Sequence, residues 1–551
     1  MIKQSKKFKI FDSDALKNFH KRIFFSIIIF LCCYFIAIFR IADVMIFDIN
    51  SKESLEIVSK KDRGKIYDRN GQLLSTNVKS YSLFAKPLKI KNKLQLSKKI
   101  SSIINIDSNE VYKKLNIEKN FVYLKRNISP KEHQKIIEIG EIGLQTHLEN
   151  KRIYLYRNNA AHIIGYVDID NIGQAGIERG YEDILNKGKD IFLSIDINLQ
   201  NAVRHELVKT IKKFSANSGL AIIMDIKKSE ILSINNYPDF DPNNINNSVL
   251  EERLNRALQS NYEMGSTFKP ITVAMGIDYD LIKKDMLFDV SRPIKNTIHD
   301  YHPFDGSLGI KDIIVNSSNI GTAIIAKIIG KKKQVKFFRK IGFYDPVKIN
   351  LKEATTPLGN KNNWGDIETM TIGYGHGFAV TPLHLAVAYS CLLNEGKKLN
   401  PKIILSEEDQ EITQVIKKET SDYILTLLRA VVTETEYTGP RVRIEGYDIG
   451  GKTGTAELIN EFGKYNKNAN RTFFIGAFPM SEPRYLILTV IDNPKKIKEE
   501  NYNITGASVN APLVKDIILR MIEILNIPKK YNNEILNAAI TENYKISNVI
   551  N

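Results

Sequence analysis

The chain has 551 residues, 43% of them hydrophobic and 26% charged, which is ample for a large core in more than one domain and excludes a disordered or fibrous class. The formal net charge of +17 raises the question of nucleic acid, but the lysines are scattered among Asn and Ile with no basic helix or stacked-aromatic motif, so the balance reads as a mildly cationic surface. Of the three cysteines, Cys32 and Cys33 lie inside an apolar run and only Cys391 lies outside it, so packing and not disulfides must hold the fold.

The first element is that apolar run, Ile23–Ile41, whose length as a helix just crosses a hydrocarbon core of roughly 30 Å. Lys17, Lys21 and Arg22 precede it and Asp43 and Asp48 follow, which puts a short N-terminus in the cytoplasm and the bulk of the chain outside. Arg40 can snorkel at the outer end. The run is long for a signal peptide and no small-x-small cleavage site follows it cleanly, so an uncleaved anchor is expected. From Arg63 to Lys189 come short alternating segments and turns, with Asn70-Gly71 placed between Lys65-Ile66-Tyr67 and Leu73-Leu74 as in a hairpin, predicting an extended, β-rich module. Near Phe192 the texture changes. Asp196–Lys213 has helical spacing, Leu220–Asp225 and Glu230–Ile234 read as paired strands, and a long helical middle ends in a strand pair at Thr472–Phe478 and Tyr485–Ile491. The fold class predicted is α+β, with helices around a mainly antiparallel sheet. The expected domains are a cytoplasmic tail 1–22, an anchor 23–41, a β-rich domain 42–190, a second domain 191–530 and a polar tail 531–551.

Three motifs carry chemistry. In Gly265-Ser266-Thr267-Phe268-Lys269-Pro270, which leads into an apolar-periodic run, Ser266 falls near a helix N-terminus and Lys269 one turn on. A serine hydroxyl is a poor nucleophile unless a base is in reach, and a lysine of lowered pKa can be that base. Taken alone in a lysine-rich chain, the pair reads first as a capping serine followed by a surface lysine. Asn316-Ser317-Ser318-Asn319 is a polar knot between apolar runs; it serves as a capped helix connection, or holds a hydroxyl and a carboxamide to pass a proton and grip an amide. In Gly450-Gly451-Lys452-Thr453-Gly454-Thr455 the glycines mark close backbone approach, Lys452 and Thr453 could bind a carboxylate, and the amide of Thr455 could face an oxyanion. The spacing of a phosphate loop is not met there.

The ordered set Ser-x-x-Lys, Ser-x-Asn, Lys-Thr-Gly resembles the serine penicillin-recognising enzymes. Further segments are similar to class B penicillin-binding proteins. Those in the pedestal are Arg63–Gly71, Ala161–Asp168 and Gly173–Glu178; those beyond it are Tyr237–Asn243, Asn255–Ala257, Gly373–Gly377 and Thr381–Leu383. With Phe121–Arg126, the pedestal looks most like that of the division-specific transpeptidase. Met264 stands where a proline is common, Tyr154-Leu155 where Tyr-Pro is usual, and Asn350–Trp364 is compact where relatives often carry a longer strand and loop.

The resemblance implies a bacterial inner-membrane, single-pass peptidoglycan D,D-transpeptidase with its catalytic domain in the periplasm. Ser266 would attack the carbonyl between two D-alanines, Lys269 take its proton, and Ser317 relay one to the leaving D-alanine. Asn319 would hold the substrate backbone, Lys452 and Thr453 the terminal carboxylate, and the amides of Ser266 and Thr455 the oxyanion, beside Gly454. No metal or organic cofactor is implied. Implied partners are stem peptides ending in D-Ala-D-Ala, β-lactams, a membrane glycan polymerase of the SEDS type and other division proteins, and no nucleic acid. His162, His299, His302 and His376 are expected to be structural or groove-lining. The alternatives are a lateral-wall transpeptidase, a β-lactam sensor or hydrolase, and a non-catalytic scaffold. The interval from Ile41 to Arg63 is too short for the glycosyltransferase of a bifunctional enzyme.

Overall fold

The computed structural model describes residues 13–46, 62–358, 364–405, 412–459, 464–497 and 503–529. The expected polar tail 531–551, the first residues of the cytoplasmic tail and part of the Asn350–Trp364 stretch lie outside the described residues.

Among the described residues of the N-terminal unit, Ser13–Ile46 form a helix within which the 23 residues His20–Ala42 are apolar enough to cross a membrane. At 1.5 Å per residue that segment is about 35 Å long, enough for the hydrocarbon layer. Phe24, Phe25, Phe30, Phe35 and Phe39 are all exposed along it, as suits a helix whose solvent is lipid.

From Arg63 onward the chain forms a second compact unit. Its first part is built on the long strand Leu73–Ala85, paired antiparallel along its length with Leu144–Tyr154 and at one end with Val122–Ile128. The expected hairpin at Asn70-Gly71 is present, with Ile66 opposite Ser75 and Tyr67 opposite Leu73. This part contains more helix than its turn-rich sequence suggests: Lys93–Ile104, Ser108–Leu115 and Pro130–Glu138. Each is short, and each starts at a side-chain cap, from Asn92, Asp107 and Ser129 respectively; local capping outweighs a weak apolar period. Ile100, Ile104, Val111, Leu115 and Leu124 close a small core of their own. Where Arg63–Gly71 meets Gly173–Glu178, the buried Glu178 carboxylate takes Arg63 Nε and Arg152 Nε at 2.7 Å each, and Glu182 takes Arg63 Nη2 at 2.7 Å.

The larger part is a five-stranded antiparallel sheet in the order Gly450–Ile459, Tyr465–Phe478, Tyr485–Asp492, Ser218–Asp225, Glu230–Tyr237. Side chains alternate across it, so helices cover both faces. Ala221 and Ile223 pack with Leu199, Val203 and Leu207 of helix Ile197–Lys213 and with Val514 and Ile517 of the closing helix Gly506–Ile524. Ile222 and Ile475 face the other way, into a core shared with Lys269–Asp278, Pro382–Leu393 and Lys418–Thr433. Helix Pro382–Leu393 is buried at every residue, and Lys269–Asp278 at all but its last two, so both run through the interior. A central buried helix beside an edge strand is the frame on which the motifs sit.

Candidate active site

The Ser-x-x-Lys motif forms a single 3-10 turn, Gly265–Phe268, feeding directly into helix Lys269–Asp278, with Pro270 in the first turn where its missing N–H costs nothing. The turn lies against the edge strand Gly450–Ile459. Gly265 has φ +52°, and a Cβ there would come within 2.8 Å of the Thr455 carbonyl oxygen. A Cβ on Gly454 would meet the Met264 carbonyl and the Thr267 methyl at 3.0 Å. Glycine on both sides is what lets the two backbones approach. From beneath, the fully buried Tyr389 donates its hydroxyl to the Thr267 carbonyl at 2.6 Å, and Thr267 Oγ1 donates to the Met264 carbonyl at 2.6 Å.

The Lys269 amine has no exposed surface. It donates to the carbonyl oxygen of Ser317 by a very short bond and to Ser317 Oγ at 3.1 Å. Lys452, equally buried, reaches the same Oγ at 3.0 Å and the Thr453 carbonyl at 3.2 Å. One hydroxyl therefore stands between two buried amines. Burial holds Lys269 well below the usual lysine range, the like charge of Lys452 adds to this, and Asp300 partly opposes it. Burial alone pushes Lys452 down to about 7. Two ammonium groups this close in a dry site disfavour each other's charge, so burial and like charge both weaken the hold of Lys269 on its proton.

Ser317 is in the left-handed region, φ +61°, on the connection between helices Ile310–Val315 and Asn319–Ile329. Ser318, not Ser317, is the cap: its Oγ accepts from Gly321 N at 2.9 Å, which frees Ser317 for the lysines. Asp300 had no signal in the sequence, since it lies in a loop outside every motif. Its carboxylate accepts from Ser318 Oγ at 2.7 Å, from Ile320 N at 3.0 Å and from Asn319 N by a very short bond. Asn319 Nδ2 donates to the His299 carbonyl at 2.8 Å. Thr453 is half-buried and Thr455 exposed, with Thr455 Oγ1 accepting from Gly506 N at 3.2 Å. The three motifs thus meet around Ser317 and the Gly265–Thr455 contact. Among the histidines, His162 is remote from this cluster; its ring bonds the Glu252 carbonyl at 2.8 Å and burial pushes it down to about 4. His376 stands 3.8 Å from Glu263, which lies three residues before Ser266.

Residues 219–519 match the family described as penicillin binding protein transpeptidase domain, and residues 59–217 the penicillin-binding protein dimerisation domain. The probable peptidoglycan D,D-transpeptidase FtsI of Caulobacter vibrioides is 31% identical over 85% of this chain and 82% of its own. Stage V sporulation protein D of Bacillus subtilis is 29% identical over 86% of this chain and 79% of its own. In fold, the chain is similar to the crystal structure of a peptidoglycan synthetase from Bifidobacterium adolescentis, with TM-score 0.68 and 21% identity over 86% of this chain and 97% of that one.

Proposed function

The chain belongs to the penicillin-binding protein transpeptidase family, with the dimerisation domain ahead of the catalytic one, and from that premise we propose that it is a serine D,D-transpeptidase that cross-links peptidoglycan stems and is acylated by β-lactams. The observation that carries this reading is the pair of buried amines, Lys269 and Lys452, on the one hydroxyl of Ser317, beside the turn that bears Ser266.

In this mechanism Ser266 Oγ attacks the carbonyl between two D-alanines while the neutral Lys269 amine takes its proton. The amides of Ser266 and Thr455 hold the resulting oxyanion, each contributing about 3 kcal/mol. The proton passes through Ser317 to the departing D-alanine nitrogen, and the acyl group stays on Ser266 until the amine of a second stem displaces it. Lys452, as ammonium, and Thr453 bind the donor's terminal carboxylate, Gly454 keeps the strand against the turn, and Asn319 grips the donor backbone. Lysine suits the base because burial can lower its pKa, which it cannot usefully do for arginine.

The pedestal domain 42–190 and transpeptidase domain 191–530 belong to the same reading. So does a single-pass anchor in the inner membrane with its N-terminus cytoplasmic, supported by Lys17, Lys21 and Arg22 ahead of the span. A septal role, with a SEDS-type glycan polymerase as partner, rests on the likeness of Arg63–Gly71, Phe121–Arg126 and Ala161–Glu178 to the division-specific class; a tagged chain spread evenly over the envelope would refute it. For the chemistry, full-length protein in detergent is incubated with a fluorescent penicillin. One covalent label per chain is expected, absent in Ser266→Ala. Labelling that persists in that variant would remove Ser266 as the nucleophile.

A further inference from the structure

Three residues before the nucleophile, Glu263 lies on the short strand Tyr262–Glu263, paired antiparallel with Ala379–Val380. Its side chain is only 14% exposed. One carboxylate oxygen accepts from Gly377 N at 2.8 Å, and the Tyr465 hydroxyl donates to both oxygens, at 3.0 and 3.2 Å. The His376 ring packs on Tyr465 with centroids 4.7 Å apart. These partners come from separate parts of the chain: the loop that follows helix Asp366–Gly373, and the strand Tyr465–Phe478, where Tyr465 faces Ile459 of the Lys-Thr-Gly strand.

That loop presses on the residue next to the nucleophile. Gly265 N donates to the Gly375 carbonyl at 3.2 Å, and a Cβ on Gly375 would fall 2.2 Å from the Gly265 carbonyl oxygen. On its other side Gly265 touches Thr455. Gly265 is therefore sandwiched between loop and strand, and the amides of Ser266 and Thr455 flank the sandwich. The start of the loop is closed on its own helix, with Gly375 N donating to the Ile372 carbonyl and His376 N to the Thr371 carbonyl at 3.0 Å each, while Gly375 and Gly377 sit at φ +88° and +84°, which glycine adopts freely. Its far end, at Gly377, is fastened by a hydrogen-bonded, nearly buried carboxylate.

We infer that Glu263 is a positioning residue whose carboxylate ties the Tyr374–Gly377 loop and the Tyr465 strand together around Gly265, and so sets the separation of the Ser266 and Thr455 amides. The inference rests on the transpeptidase reading, because the geometry it fixes is that reading's oxyanion hole. The phenols around the carboxylate suit the role. Burial first, and then the charge of Glu263, push Tyr374 up to about 12 and raise Tyr465 as well, so both stay protonated, and the Tyr465 hydroxyl remains a donor, across the working pH range.

The test measures acylation of full-length protein by a fluorescent penicillin, separating the limiting rate from the half-saturating concentration. Glu263→Ala should slow the limiting rate by roughly tenfold to a hundredfold, the effect of a small misplacement of catalytic groups, with the half-saturating concentration little changed. Glu263→Gln keeps an acceptor for Gly377 and Tyr465 and should restore most of the rate. Tyr465→Phe, at a half-exposed position where folding is not at stake, should slow the limiting rate in the same sense, and combining it with Glu263→Ala should add nothing. A wild-type limiting rate in Glu263→Ala, or a change confined to half-saturation, overturns the inference, as does a wild-type rate in Tyr465→Phe should Glu263→Ala not fold. An unlabelled wild type would instead strike the transpeptidase reading beneath it.

Discussion

In the pedestal, Glu178 is buried between Arg63 and Arg152, with Glu182 closing the far side of Arg63. In the transpeptidase part, Lys269 and Lys452 are buried just as deeply around Ser317, with Asp300 as a half-buried counter-charge. Desolvation opposes charge in both places, but the outcome differs. For Arg63, burial pulls down and the Glu182 and Glu178 carboxylates more than offset it, so the guanidinium sits above its ordinary value and stays charged. For Lys269, burial and a like charge act together against the partial opposition of Asp300, and the amine is held well below the usual lysine range. Opposite signs at close range keep both charges; like signs in the same dryness loosen a proton, as the proposed base requires.

The largest effect should come from converting the second case toward the first. Lys269→Arg keeps a cation that cannot act as a base near neutral pH, and acylation by fluorescent penicillin should fall by up to roughly 10⁴-fold. A rate within a few-fold of wild type would mean that proton removal lies with another group, Ser317 being nearest. The converse experiment breaks the pedestal fastening. Glu178→Ala leaves two guanidinium groups facing each other in a buried site and should cost roughly 3–5 kcal/mol, seen as a lowered melting temperature. Acylation per folded molecule should hold, and a proportional loss of acylation would show the two clusters to be coupled.

The smallest effect sharpens the comparison at Asp300. Its charge favours the ammonium form of Lys269, so Asp300→Asn should lower the lysine pKa further. A base acts when deprotonated; the acidic limb of the acylation pH profile should therefore move to lower pH, by about one unit or less. The amide oxygen of Asn can still accept from Asn319 N and Ile320 N, so only the acceptor for Ser318 Oγ is lost, which should cost about 1 kcal/mol in stability. A limb that moves up in pH would contradict the assignment of Lys269 as the group titrating there.

Much of the catalytic half was legible because its signals are local. The strand pair read from Leu220–Asp225 and Glu230–Ile234 is Ser218–Asp225 with Glu230–Tyr237, and the helix expected at Asp196–Lys213 begins one residue later, with Asp196 as its cap. Membership of the motif set could be read because each motif needs its residues at fixed short spacing. Asp300 as the partner of Ser318 and Glu263 as a tie could not, since each depends on a contact between segments apart in sequence. The helices of the pedestal were missed for another reason: Ser108–Leu115 and Pro130–Glu138 are too short to display a period, and capping side chains define them.

Ser317 holds a backbone angle that a glycine would occupy freely and that costs a serine roughly 1–2 kcal/mol. Two buried amines converge on it at further expense to the native state. A breeding experiment that rewarded only expression or heat tolerance would therefore find its easiest gains at this spot, by trading the hydroxyl for hydrogen and the amines for hydrocarbon. Thermal robustness is thus an unsafe proxy for fitness in this chain: the variant that survives heating best is the one that has forgotten its work.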